Sequence, residues 1–143
     1  MSGIRFCIVV LALGAAATIA VADDADKLAG TWTAQDAAGR SWTFASQNDT
    51  LKITHRNSSG AVSEFECKAD GRNCKSGKDV TVSLWYNGPV LVELETKGSD
   101  VTKRRFTVAS SGDTMQMEVM PIVPPGKAET VQFKRVQEAA NKQ

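Results

Sequence analysis

From residue 31 onward, apolar and polar residues alternate with a period of two along short runs. Leu51 and Ile53 alternate with Thr50, Lys52 and Thr54, and Val80, Val82 and Leu84 with Thr81 and Ser83. Met115, Met117 and Val119 alternate with Thr114, Gln116 and Glu118, and Val131 and Phe133 with Thr130, Gln132 and Lys134. A period of two sends successive side chains to opposite faces, so each run predicts a strand with one buried and one wet face. Such runs occupy 31–34, 41–45, 50–55, 62–68, 80–85, 90–97, 101–109, 114–120 and 130–136. Turn-forming clusters punctuate them: Asn57-Ser58-Ser59-Gly60, Asp70-Gly71, Asn87-Gly88-Pro89, Lys97-Gly98-Ser99-Asp100 and Ser110-Ser111-Gly112-Asp113. The stretch 122–127 carries Pro124 and Pro125, which remove ladder donors, and is expected to be a loop at one end. With no crossover helix between strands, the fold class is all-β. It is expected to be a single antiparallel up-and-down meander of about 8–9 strands closed into a barrel, with a β-sandwich as the alternative.

The first twenty-two residues follow a different rule. Arg5 supplies the early positive charge, an apolar run from Phe6 to Val21 follows, and Ala20-Val21-Ala22 ends it before Asp23 and Asp24. That order is the pattern of a secretory signal cut after Ala22, and the acidic flank argues against a retained membrane span. Domain organisation is therefore expected to be a cleaved signal over 1–22 and one β-barrel domain over 23–143, ending in a short polar tail from Gln137. The expected location is periplasmic or secreted. Lys and Arg total 17 against 16 Asp and Glu, so losing Arg5 leaves a balanced chain. A nucleic-acid partner would call for a basic excess, and none is expected. The run Lys103-Arg104-Arg105 does not change this. In a strand Lys103 and Arg105 share one face while Arg104 turns to the other with Phe106.

Once residues 1–22 are set aside, the cysteines are Cys67 and Cys74, an even pair that an exported protein normally joins. A two-residue Asp70-Gly71 turn would pair Ala69 with Arg72, Lys68 with Asn73 and Cys67 with Cys74 across a hairpin. Opposed strand residues have Cα atoms about 4.5–5.5 Å apart, within disulfide range. A structural disulfide is expected.

Leu28-Ala29-Gly30-Thr31-Trp32 is similar to the Gly-x-Trp signature on the first strand of lipocalin-like barrels. The resemblance implies that a late arginine, here Arg135 after Phe133-Lys134, packs across Trp32 and closes the barrel floor. The middle of the chain also resembles small exported bacterial proteins of unknown function with lipocalin-like architecture. The residues concerned are Asp70-Gly71-Arg72, the stretch 77–84, Lys103-Arg104-Arg105-Phe106-Thr107-Val108 and Ser110-Ser111-Gly112-Asp113-Thr114. The likeness covers about 28–136, and Cys67 and Cys74 stand outside its pattern.

Candidate chemistry is sparse. His55 is the one histidine, at the end of the Leu51-Ile53-His55 face, and no nucleophile elbow accompanies it. Glu64 with Glu66, and Glu93 with Glu95, share strand faces that are usually solvated, although a barrel interior would raise the pKa of one of them. Met115, Met117 and Met120 offer soft ligands, but Met115 and Met117 alternate with polar residues as apolar filling does. No catalytic residue, metal site or cofactor is expected, and the chain is not read as an enzyme. Trp42, Phe44, Met115, Met117 and Phe133 would either line a pocket for an apolar ligand or fill the barrel outright. The expected function is binding of a small hydrophobic or amphipathic ligand. The alternative is a packed-core module that engages an envelope protein. Asn48-Asp49-Thr50 and Asn57-Ser58-Ser59 are acceptor sites for N-glycosylation in a eukaryotic host.

Overall fold

A computed structural model describes residues 26–36 and 38–137. The expected signal and most of the polar tail lie outside the described residues. After one helical turn over 26–28 come ten strands: β1 (Gly30–Ala34), β2 (Ser41–Gln47), β3 (Thr50–Arg56), β4 (Val62–Lys68), β5 (Asp70–Gly77), β6 (Val80–Asn87), β7 (Val90–Lys97), β8 (Asp100–Val108), β9 (Thr114–Val123) and β10 (Glu129–Arg135). All pair antiparallel in one sheet ordered β4-β3-β2-β1-β10-β9-β8-β7-β6-β5. The sheet curls until its two edges, β4 and β5, face each other, giving a nearly closed barrel rather than a sandwich. No ladder joins those edges among the described residues, so a seam runs between them.

The extra strand is β5, whose sequence Asp70-Gly71-Arg72-Asn73-Cys74-Lys75-Ser76-Gly77 has too few apolar residues to alternate. It forms by pairing with β6, and its ladder is irregular on both sides of Cys74. Asp70 already pairs with Trp85, so Asp70-Gly71 is not the two-residue turn of a hairpin. Gly71, with φ at +79°, instead takes up a shift of register inside β5. The expected 69–72 and 68–73 pairs are absent, yet the disulfide Cys67–Cys74 is formed, with Cα atoms 5.7 Å apart. It bridges the seam and ties together two edges that have no ladder of their own. Replacing both cysteines by serine is expected to lower stability by roughly 2.5 kcal/mol from the released loop alone. Urea unfolding of the oxidised wild type against the double variant measures it.

The proline-rich stretch also departs from expectation. β9 runs on through Pro121 to Val123, pairing with Thr102 and Val101 of β8. β10 begins only at Glu129, opposite Val119, so the last residues of β9 have one free side where a missing N–H is tolerated. The loop is confined to 124–128.

Alternation fills the barrel. Trp32, Trp42, Phe44, Ile53, Leu84, Leu91, Phe106, Met115, Met117 and Phe133 are all at most 4% exposed. The Phe106 ring meets Trp42 edge-on at 4.9 Å between centroids and Phe44 at 5.2 Å. Contacts of this kind add about 0.5–1.5 kcal/mol beyond burial.

Candidate functional site

At the end where β1 begins, Trp32 and Arg135 are opposed in the β1–β10 ladder. The Arg135 guanidinium lies 4.2 Å over the Trp32 ring. Its Nε donates to the Gly112 carbonyl at 2.8 Å and its Nη1 to the Ala29 carbonyl at 2.6 Å, while Nη2 donates to the Lys27 carbonyl. Trp32 Nε1 donates to the Leu28 carbonyl at 2.9 Å. These bonds hold the helical turn across the barrel end. Gly30 is required there: its φ is +123°, and a Cβ would stand 2.8 Å from Arg135 Nη1. Trp42, Phe44, Met115, Met117 and Phe133 meet in the filled middle of the barrel, and none of them borders either opening described next.

Two openings flank the seam disulfide. Along β4 and β5, Lys68, Ala69 and Asp70 lie on one side of it and Ser63 and Ser76 on the other. The larger opening, about 630 Å³, has Leu51, Ala69 and Tyr86 among its apolar walls and Asp26, Asp49 and Asp70 among its polar ones. Lys68 and Asp49 pair there at 3.0 Å, and that contact draws the Asp49 carboxyl below its ordinary range and raises the Lys68 amine. The smaller opening, about 290 Å³, lies at the other end and is bordered by His55, Ser63, Ser76, Glu95, Lys97 and Arg104.

Behind the smaller opening lies a buried ion pair. Glu93 on β7 and Arg104 on β8 are directly opposed, and both project inward. Arg104 Nη1 donates to Glu93 Oε1 at 2.6 Å and lies 3.5 Å from Glu95 Oε2. Glu93 is 1% exposed, and its Oε2 has no hydrogen-bond partner among the described residues. Burial pushes the Glu93 carboxyl above its ordinary range, with Arg104 pulling the other way. Burial would also lower the Arg104 guanidinium, but Glu93 and Glu95 together outweigh it and raise it. The guanidinium lies 5.7 Å from the Trp42 centroid, and the ring of His55, opposite Trp42 in the β2–β3 ladder, stacks on Trp42 at 4.1 Å.

His55 is held neutral. Burial lowers its pKa from 6.5 to about 4; Arg104 and Arg40 add to this and Glu95 opposes it. The folded value lies below the unfolded one, so the folded state sheds a proton that the unfolded chain keeps. Stability from this group is complete above pH 6.5 and is lost as pH falls toward 4. The loss is expected to reach about 1–2 kcal/mol once solvent screening of a part-exposed ring is allowed for. Glu93 acts in the opposite sense, because its raised folded pKa removes stability as pH rises above 4.5. Urea midpoints measured across this range should show the acid-side slope in wild type and not in His55→Gln, and the single imidazole resonance should titrate near 4.

Part of this cluster was visible in the sequence. Parity put Arg104 on the face of Phe106, yet the Lys103-Arg104-Arg105 run reads as a solvated strand face, and Glu93 with Glu95 as a usually solvated pair in which a barrel interior would raise one pKa. The structure buries Arg104 and Glu93 and raises the Glu93 pKa. The signal for the burial of Glu93 was the apolar Leu91, two residues before it on the same face. Among the described residues no cluster of His, Cys, Asp and Glu has the makings of a metal site, and no helix is long and apolar enough to cross a membrane.

No known protein family and no curated protein matches the chain. The likeness to small exported bacterial proteins therefore has no sequence-family counterpart. Solved structures do match in fold. Fatty-acid-binding protein 1 of Echinococcus granulosus superposes with a TM-score of 0.64 at 11% identity, over 78% of this chain and 99% of that one. A Schistosoma mansoni fatty-acid-binding protein in complex with arachidonic acid gives 0.64 at 14% identity, over 80% and 99%. A secretory abundant heat soluble protein of Ramazzottius varieornatus gives 0.63 at 10% identity, over 77% and 96%. At these identities the likeness is one of fold, and the described residues form a nearly closed ten-stranded β-barrel with the architecture of fatty-acid-binding and lipocalin-like proteins.

Proposed function

We propose that the protein is a non-enzymatic, exported binder of a small amphipathic molecule, which it takes at the larger opening beside the seam. The observation that carries this reading is the 630 Å³ cleft itself, with Leu51, Ala69 and Tyr86 as apolar walls and carboxylates around them. Its volume falls within the roughly 300–1,000 Å³ of small-molecule sites. Two further points support the reading. The edges β4 and β5 are tied by one disulfide rather than a ladder, so the wall beside the cleft can part more readily than any other. The barrels it resembles in fold include proteins described as binding fatty acids, one of them with arachidonic acid bound. Export is supported by the Cys67–Cys74 disulfide, which needs an oxidising compartment to persist, and by the signal pattern over 1–22.

The uncharged dye Nile red, which brightens in apolar surroundings, tests the site. Wild type should give a saturable rise in emission, and Ala69→Trp, which places an indole in the cleft, should abolish it while keeping the wild-type melting temperature within a few degrees. If wild type gives no rise, the second reading takes precedence. The filled middle of the barrel favours that reading: a packed module that engages an envelope protein through its surface.

A further inference from the structure

We infer that the smaller opening, at the end of the barrel away from Arg135, is a second binding site, and that its ligand is a small organic ammonium ion. The case begins with the acceptors. Glu95 and His55 both border the opening, with Ser63 and Ser76 opposite them on the two edges of the seam. His55 presents a neutral ring there, and a neutral imidazole carries one bare nitrogen able to accept a hydrogen bond. Immediately behind, Glu93 Oε2 is a fully buried acceptor without a partner. A buried acceptor left unpaired is costly, and a donor brought by a ligand would relieve it.

Among the described residues at this end, Trp42 Nε1 and Arg40 Nε are buried donors without a partner, though neither residue borders the opening, while the cationic groups have carboxylate partners or stay in water. Arg104 Nη1 is held by both Glu93 and Glu95. Arg40 pairs with Asp36 and, at 3.6 Å, with Glu129. Lys97 is exposed at the rim, where its ammonium stays in water. With Glu93 ionised by its contact with Arg104, the cluster sets two carboxylates, Glu93 buried and Glu95 part-exposed, against one guanidinium, with His55 adding no charge. A single negative charge in surroundings of low dielectric favours a cation strongly and repels a carboxylate. An ammonium group donates without accepting, which matches acceptors grouped around a neutral histidine. The barrel is thus matched in fold by proteins described as binding fatty acids, while Nη1 of its own inward-facing Arg104 is already held by two of the chain's own carboxylates. A volume of 290 Å³ suits a short organic cation rather than a long chain.

The probe is n-propylammonium chloride, titrated at low ionic strength into the full chain. Sodium butanoate and sodium chloride at matched concentration serve as comparisons, and the one imidazole resonance of His55 is the readout. Propylammonium should move that resonance saturably, and butanoate and sodium chloride should not. Glu95→Gln should weaken propylammonium binding at least tenfold. Lys97→Glu, a change at the exposed rim, should strengthen it several-fold and leaves the cluster itself intact. An equal response to sodium chloride or butanoate, no response to propylammonium, or unchanged binding in both variants would each overturn the proposal. Nile red binding at the other end should be the same in wild type and Glu95→Gln, so failure here and failure of the amphipath reading are separable.

Discussion

Arg104→Met is expected to lower the stability of the folded chain by about 3–5 kcal/mol at pH 7, because it leaves Glu93 buried without its counter-charge. The guanidinium, 2.6 Å from Glu93 Oε1, is the one cation in contact with a carboxylate only 1% exposed. With it gone, burial and then the neighbouring Glu95 carboxylate both push the carboxyl upward with nothing opposing them, and its folded pKa lies further above the unfolded value of 4.5. A raised folded pKa means that stability is fullest below the unfolded value and is lost as pH rises through the folded one. The gap between Arg104→Met and wild type should therefore narrow on acidification, measured as the difference in urea midpoints at pH 7 and pH 5. Adding Glu93→Met to Arg104→Met should restore most of the loss, since an apolar pair of similar volume is often as stable as a buried ion pair. A single variant within 1 kcal/mol of wild type at pH 7 would mean that water reaches Glu93.

Phe106→Ala is expected to be as severe, about 3–5 kcal/mol, for the opposite reason. Phe106 is 1% exposed and fills the space between Trp42 and Phe44 at the centre of the barrel. Truncation removes the ring's transfer energy and leaves a cavity that aromatic neighbours cannot easily collapse into. The hole would be apolar and dry, so toluene should raise the melting temperature of Phe106→Ala and leave that of wild type unchanged. A wild type stabilised equally by toluene would mean that the axis is less filled than its packing indicates.

The all-β class, the meander and most strand positions were legible in the sequence because alternation in runs such as Val80-Thr81-Val82-Ser83-Leu84 is a direct record of one wet and one dry face. β5 was not legible. Its residues carry no such record, and what makes them a strand is β6 on one side and a disulfide on the other. The continuation of β9 through Pro121 was hidden for a related reason: whether a proline is tolerated depends on where β10 stops, which is a property of the partner. At the site, each of Glu93, Glu95, Arg104 and His55 was noticed separately. The Glu93–Arg104 and Trp42–His55 pairs each lie within a hairpin, but setting Arg104 beside Trp42 joins β8 to β2, strands far apart in sequence that only the closing of the whole barrel brings together.

The order of strands around the barrel has a consequence for how the chain reaches its fold. The two edges of the sheet, β4 and β5, are separated by the single residue Ala69, whereas the first and last strands are zipped together. Arg135 bonds to Ala29 across 106 positions of sequence. The seam is thus the natural place to cut. A circular permutant opened at Ala69, with a short linker joining the region of Leu28 to that of Val136, would run through its strands in the same order as they lie in the sheet. Every ladder would then link consecutive strands, and the most distant closure would become a hairpin. Lower contact order speeds folding, so the permutant should fold faster than the natural order, with Cys67–Cys74 acting as a clasp between its new ends.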